Sequence, residues 1–387
     1  MTNGANNQEN ALAPVDLVSP GPTQRQLESG TALCLSGGGY RAMVFHVGVL
    51  WRLYEAGLLK DLKRISSVSG GSITAGVLAL KWKKLSFDPA DVKRDFVPEV
   101  VAPIRTMASK TIDASAVIGG VLLPGTVSDK ITSAYRKYLF GHATLQDLPD
   151  DYPRFVINAT NVQSGALWRF MKPYMRDWRV GEVKKPTVEL AQAVAASSAF
   201  PPVLSPVHIE LNHGDFTPAS GADLQKSPFT SEVVLTDGGV YDNLGLETAY
   251  KRYETILVSD AGGKMQAEGE PKEDWARHAY RVLNIIDNQV RSLRVRQLIA
   301  AYQANARKGA YWGIRADITD YPVSTTLPCP HKRTLKLANE ATRLKRLDEK
   351  TQKRLINWGY AICDAALRSH VDTTMSQGTF PYPGAGV

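Results

Sequence analysis

Read from its start, the chain alternates short apolar runs with longer stretches of helical period. Residues 31–35 read as a short buried strand, apolar from Ala32 on. Residues 41–59 then repeat apolar side chains every three or four positions (Val44, Val47, Leu50, Trp51, Tyr54), with Gly57 as a stop. Residues 64–68 are a second strand-like run and 71–83 a second helical one. Further on, 154–159 and 167–171 read as paired strands around a turn at 161–165. Residues 188–198 read as a helix stopped by Phe200-Pro201-Pro202, 233–235 as a strand, 246–253 as a helix and 255–259 as a strand. Two long helical tracts, 275–307 and 336–369, follow. Strand–turn–helix repeated twice at the start predicts right-handed crossovers. The fold class expected is therefore α/β, a mainly parallel central sheet with helices on both faces, an inserted cap region and a helical C-terminal part.

The turns carry the chemistry. The first reads Ser36-Gly37-Gly38-Gly39-Tyr40-Arg41-Ala42, between a strand and a helix. Three glycines permit positive φ and close backbone approach, and their amides would point at an anion at the helix start. Arg41 in the first helical turn opposes the helix dipole, so an anionic partner or a solvent-facing position are both open to it. The second turn reads Ser67-Val68-Ser69-Gly70-Gly71-Ser72. It fits a strand-to-helix elbow that would expose Ser69 as a nucleophile, with Ser67 in place of the usual first glycine. Ser66 and Ser67 fall in the strand and Ser72 in the helix.

A serine nucleophile needs a base. Of seven histidines, none sits in a small, glycine-framed strand end, although a Ser69–Asp237–His278 triad can be written in chain order. Asp237, in Asp237-Gly238-Gly239, does sit at such an end. A desolvated aspartate bonded to the serine hydroxyl can serve as base. The same Asp-Gly pair is also an ordinary turn signal. The glycine loop partly fits the dinucleotide fingerprint G-x-G-x-x-G/A, but no acid closes the following strand, which ends in Ser69. A P-loop is excluded because no Gly-Lys-Ser/Thr follows.

Together these segments resemble the patatin-like phospholipase family. The resemblance rests on Gly37-Gly38-Gly39-Tyr40-Arg41, the elbow 67–71 and Asp237-Gly238-Gly239, in that order. Ala195-Ala196-Ser197-Ser198-Ala199-Phe200-Pro201 and Asp242-Asn243-Leu244-Gly245 are similar to segments flanking the family's catalytic aspartate. The motifs are closest to the cytosolic phospholipase A branch, and the resemblance covers about residues 32–262. It implies a Ser69–Asp237 dyad hydrolase of fatty-acyl esters in membrane phospholipids, with no cofactor or metal. Its oxyanion hole is expected from Gly37, Gly38, Gly39 and Arg41, with Arg41 facing the same pocket or a lipid phosphate. Asp260, in Ser259-Asp260-Ala261-Gly262-Gly263, mimics the catalytic context and is expected to be structural. Lysophospholipid or neutral-lipid esters are alternative substrates. A non-catalytic anion- or nucleotide-binding protein using Gly37–Gly39 is the alternative of another class.

The expected organisation is a mobile arm at 1–28, a catalytic domain at 29–265 and a helical extension at 266–387 packed on the same domain. Within the domain, 84–150 is an insertion whose uncharged stretch 117–125 reads as a buried loop or as a lid. With 46 basic and 38 acidic residues in 387, the net charge is +8, which favours anionic partners. The basic tracts 275–308 and 332–353 read as packed helices with solvated faces or as a surface for anionic lipid headgroups. Nucleic acid is not expected, because no recognised motif accompanies the charge. Three scattered cysteines argue for a reducing compartment. No signal-like segment and no run of eighteen apolar residues is present. A cytoplasmic protein acting at the inner face of the membrane is expected. Such an enzyme would need a gate: the arm, the insertion, or a small-molecule or protein activator.

Overall fold

The computed structural model describes residues 27–112 and 127–387, so nearly all of the expected arm and the apolar stretch 117–125 lie outside the described residues. In chain order the elements are β1 (Glu28–Leu35), α1 (Gly39–Glu55), β2 (Leu62–Val68), α2 (Gly70–Lys81), α3 (Ala102–Ala108) and α4 (Val127–Tyr135). The middle holds β3 (Arg154–Asn161), β4 (Ala166–Phe170), β5 (Tyr174–Asp177), β6 (Gly181–Lys184), α5 (Leu190–Ser197), β7 (Val207–Glu210), β8 (Glu232–Asp237) and β9 (Tyr253–Asp260). The last part holds α6 (Trp275–Gln303), β10 (Lys308–Gly313), α7 (His331–Ala338) and α8 (Glu349–His370).

The ten strands form one sheet among the described residues. Its core runs β10-β9-β1-β2-β3, all parallel. β4, β5 and β6 extend it antiparallel beyond β3. The class is α/β, as the crossovers predict. The second half of β1, Ala32–Leu35, reads as a continuous apolar run because it is buried on both faces. Leu33 and Leu35 enter a large core with α1, α2, α5 and α8, while Ala32 and Cys34 enter a smaller one capped by Leu298 of α6. α1 and α8 cross closely enough that a methyl at Gly48 would overlap Ile356 O and one at Gly359 would overlap Phe45 O.

The structure departs from the sequence reading in three places. The last 122 residues were expected to be helical, yet they add β10 to the sheet edge, with Ala310 opposite Leu257. That six-residue strand, Lys-Gly-Ala-Tyr-Trp-Gly, is too short and glycine-rich to show a period, and it is defined by its pairing with β9. The tract 336–369 divides into α7 and α8, and the helix expected at 246–253 is one turn, Glu247–Tyr250. The four-residue strands β5, β6 and β7 carry no periodic signal of their own.

Register places the two candidate catalytic strands end to end. β2 pairs with the first half of β3, its last pair being Val68 with Asn158. β8 runs antiparallel along the second half of β3, ending with Asp237 opposite Ala159. The C-terminal ends of β2 and β8 therefore meet at adjacent positions of β3.

Candidate active site at the junction of β2 and β8

Ser69 sits where β2 turns into α2, with φ 51° and ψ −120°. This is the left-handed side of the map for a non-glycine residue, a conformation that costs about 1–3 kcal/mol and persists only where the surroundings enforce it. Gly71 is part of that enforcement, since a side chain there would overlap the Leu35 carbonyl of the neighbouring turn. The strained elbow leaves Ser69 at the N-terminus of α2 with 7% of its surface exposed.

Asp237 closes the site from β8. Any side chain at Gly238 would overlap Asn158 O and crowd Val68, so glycine lets this turn pass against β2 and β3. Asp237 Oδ1 accepts the Gly239 amide at 2.7 Å. Oδ2 is buried and makes no well-formed hydrogen bond among the described residues. Burial pushes the carboxyl up to about 7, opposed by the Gly239 amide and the Ser69 hydroxyl and reinforced by the charge of Asp287 on α6. The Ser69 hydroxyl thus interacts with a carboxyl whose second oxygen lacks a good partner. A loose contact of this kind is usual for catalytic pairs before substrate binds.

A shelf formed by the end of α5 holds both halves. Ser197 Oγ accepts the Ser69 amide at 3.0 Å and donates to Asn158 O at 2.7 Å. It also lies 2.9 Å from Ser72 Oγ. On the backbone, Asp237 N donates to Ala199 O at 3.0 Å and Gly238 N to Ser197 O at 3.2 Å. The segment 195–201 forms this double clamp. Tyr135 reaches the shelf from α4, its hydroxyl 3.1 Å from Ser198 Oγ. Asn243, from the segment after Asp237, accepts the Gly37 amide at 3.0 Å through its backbone oxygen. Its side chain lies so close to Gly37 and Gly239 that a methyl at either would press on Oδ1. Neither Ser197 nor Tyr135 carries a periodic or charge signal that would single it out in the sequence.

The glycine loop residues divide. Gly37 packs against Ser69 and its amide is occupied by Asn243. Gly38 (φ 140°) and Gly39 (φ 60°) take positive φ, and their amides have no acceptor among the described residues. These two are the donors left for an anion. Arg41 differs from expectation. It is 2% exposed, and its guanidinium donates to Ala261 O (3.3 and 3.0 Å) and to Glu340 O (2.5 Å). It is spent on carbonyls behind the loop.

His46, His278 and Asp260 stand apart from the Ser69–Asp237 pair. His46 is buried between Ser259 Oγ (2.9 Å) and Ser36 O (3.0 Å), and burial lowers it to about 4. His278 is exposed on α6 and bonds neither Ser69 nor Asp237. Asp260 is fully buried but satisfied: Oδ2 accepts Arg291 (3.1 and 2.8 Å) and the Tyr311 hydroxyl (2.8 Å), and Oδ1 the Gly262 amide (2.9 Å). No group of three metal-ligating side chains occurs among the described residues.

A serine elbow facing a desolvated carboxyl on an α/β scaffold is an arrangement compatible with acyl transfer. The patatin-like phospholipase family model matches residues 33–250, more than half of the chain, and the chain belongs to that family. Membership supports a lipid acyl hydrolase. Among solved structures, human GIVD cytosolic phospholipase A2 aligns at 12% identity and a TM-score of 0.46 over 92% of this chain. Its complex with methyl gamma-linolenyl fluorophosphonate aligns at 13% and 0.49 over 89%. The chain spans 65% and 59% of those two chains. VipD from Legionella pneumophila aligns at 16% identity and 0.31, covering 81% of this chain and 67% of that one. No curated protein matches significantly.

Proposed function

We propose that this protein is a phospholipase A-type serine hydrolase that cleaves fatty-acyl esters of membrane phospholipids through a Ser69–Asp237 dyad. Ionised Asp237 takes the Ser69 proton as Oγ attacks the acyl carbonyl. The amides of Gly38 and Gly39 receive the oxyanion, and Gly37 shapes the loop around them. The alkoxide leaves with the proton now on Asp237, giving an acyl-serine and a lysolipid. Asp237 then deprotonates a water that attacks the acyl-serine, and the fatty acid departs as Ser69 is reprotonated. The observation that carries this reading is a strained serine, 7% exposed, held against a buried carboxyl that no cation neutralises among the described residues.

The membrane contact is proposed for α6. Trp275 is 85% and Leu283 62% exposed, and Val282, Ile286, Val290 and Leu293 recur at helical spacing beside them. Arg277 and Arg281 flank this row, and Asp287 of the same helix acts on Asp237. The row would sink into the acyl boundary and bring the lipid to the dyad. No helix among the described residues is long and apolar enough to cross a membrane. Cys34, Cys329 and Cys363 are unpaired, as a reducing cytoplasm allows.

The test is mass spectrometry of mixed phospholipid vesicles incubated with wild type, Ser69→Ala and Asp237→Asn, alongside fluorophosphonate labelling. Fatty acid and lysolipid are expected with wild type alone, and label on Ser69. Undiminished release by either variant would refute the dyad. Leu283→Glu with Ile286→Glu should slow hydrolysis of vesicles and spare a water-soluble ester. Equal slowing of both substrates would remove α6 from the membrane contact.

A further inference from the structure

Beside Arg41 of the glycine loop lies a cavity of about 290 Å³. Arg41, Lys264 and Arg315 line it together with Asn339, Glu340 and Thr342, whereas Ser69, Asp237 and Asn243 do not. None of its three cations forms an ion pair among the described residues. Arg41 is nearly fully buried on neutral carbonyls. Arg315 donates to Ala338 O (3.0 Å) and Asn339 Oδ1 (2.9 Å), and its Nε is buried without a partner. Lys264 is exposed at the rim. Asp260 and Glu340 attract Arg41 without forming an ion pair with it. Asp260 is held by Arg291, and Glu340 lines the cavity as its one carboxylate. Burial first, and then the charges of Arg315 and Arg291, lower Arg41 to about 10 against the opposing pull of Asp260 and Glu340. Arg41 is buried with no ion-pair partner and Arg315 is half-buried beside it, and an oxyanion bonded by planar guanidinium groups relieves the cost of holding them together.

We propose that this cavity is a phosphate-class anion site whose occupancy stiffens the glycine loop and raises turnover. The coupling is direct. Arg41 holds Ala261 O, and a side chain at Gly38 would fall 2.7 Å from that same oxygen and 3.1 Å from Arg41 Nη2. Gly39 packs on the backbone of Arg343, adjoining the wall at Glu340–Thr342. An anion bridging Arg41, Arg315 and Lys264 ends their mutual repulsion and fixes Arg41 under the loop. The cavity is at the small end for ligand sites and suits a phosphate or a small phosphorylated molecule.

Binding is measured by calorimetry with inorganic phosphate at constant ionic strength, on wild type and on Ser69→Ala. That readout is independent of the dyad. The rate readout rests on the hydrolase reading and uses a water-soluble, phosphate-free ester. Saturable binding at or below about 1 mM is expected, weakened at least about tenfold in Lys264→Met and more in Arg315→Met. Lys264 is exposed and unpaired, so its variant should fold even where Arg315→Met does not. Phosphate should raise kcat in wild type. No saturable binding, or binding unaltered in Lys264→Met, overturns the site. A kcat that stays constant or falls, or a rise in KM alone, overturns the coupling. Phosphatidylglycerol against phosphatidylcholine vesicles separates the two sources of the anion. Activation by phosphatidylglycerol vesicles that free phosphate fails to reproduce assigns the site to a lipid headgroup, and activation by free phosphate assigns it to a soluble ligand.

Discussion

Asp237 and Asp260 occupy nearly the same local setting. Each ends a strand of the one sheet, each has two glycines within the next three residues, and each is buried. Their electrostatics are opposite. Burial raises both, but at Asp260 the charge of Arg291, the Gly262 amide and the Tyr311 hydroxyl outweigh it and hold the carboxyl below its usual range. Asp237 receives one amide and a serine hydroxyl, and burial prevails, to about 7. The lesson is that burial keeps a carboxyl raised toward neutrality only where the fold withholds a cation. A carboxyl clamped by arginine is a strut, whereas one left short of partners can exchange a proton near neutrality.

The comparison is most strongly broken by turnover. Ser69→Ala and Asp237→Asn should each lower kcat by at least about 10⁴-fold, by analogy with other activated serines. Fatty-acid release with circular dichroism as the folding check measures this, and an active Asp237→Asn would exchange the two aspartates' roles. Asp260→Ala should instead cost stability, about 3–5 kcal/mol by urea unfolding, because Arg291 is left half-buried and unpaired. Wild-type stability on unfolding would mean that Asp260 is no strut.

The pH dependence sharpens the contrast. As a base, Asp237 must be ionised, so log kcat/KM should rise with pH and level off above about 7. Its folded pKa exceeds the ordinary value of 3.8. The native state therefore holds the extra proton between those values, and stability falls as pH rises through that window. Asp237→Asn should thus gain about 1–3 kcal/mol at pH 8 and little near pH 4. A variant no more stable than wild type at pH 8 would show that the carboxyl is not strained.

The smaller effects test the supports. Ser197→Ala leaves the buried Ser69 amide without its acceptor, at a cost of about 1–3 kcal/mol. By loosening the elbow it should also lower kcat about 10- to 100-fold with KM little changed. Stopped assays over a substrate range give that split, and an unaltered kcat would reduce Ser197 to a packing residue. His278→Ala should leave activity and stability unchanged. A large loss there would restore the triad.

Much of this was legible before any coordinates. β1, β2, α1 and α2 follow from apolar period and glycine stops, because a doubly buried strand and a packed helix leave distinct patterns in the chain. Ser69, Asp237 and the loop 37–39 stand out because sharp turns and close backbone approach demand small residues. What pattern could not reveal is anything defined across the sheet. β10 exists as a strand because β9 offers it an edge. Ser197 matters because α5 ends beneath the elbow, and Arg41 turns from the pocket because Ala261 and Glu340 offer it carbonyls.

The chain alone determined the scaffold and the candidate nucleophile, since both are written in local spacing and in residues a tight turn requires. Tertiary structure decided which aspartate stays short of partners. That depends on Arg291 arriving from α6 beside Asp260, and on β8 continuing the line of β2 along β3 so that Asp237 faces Ser69. Charge pairing acts through space, and no local pattern encodes which distant group will fill it.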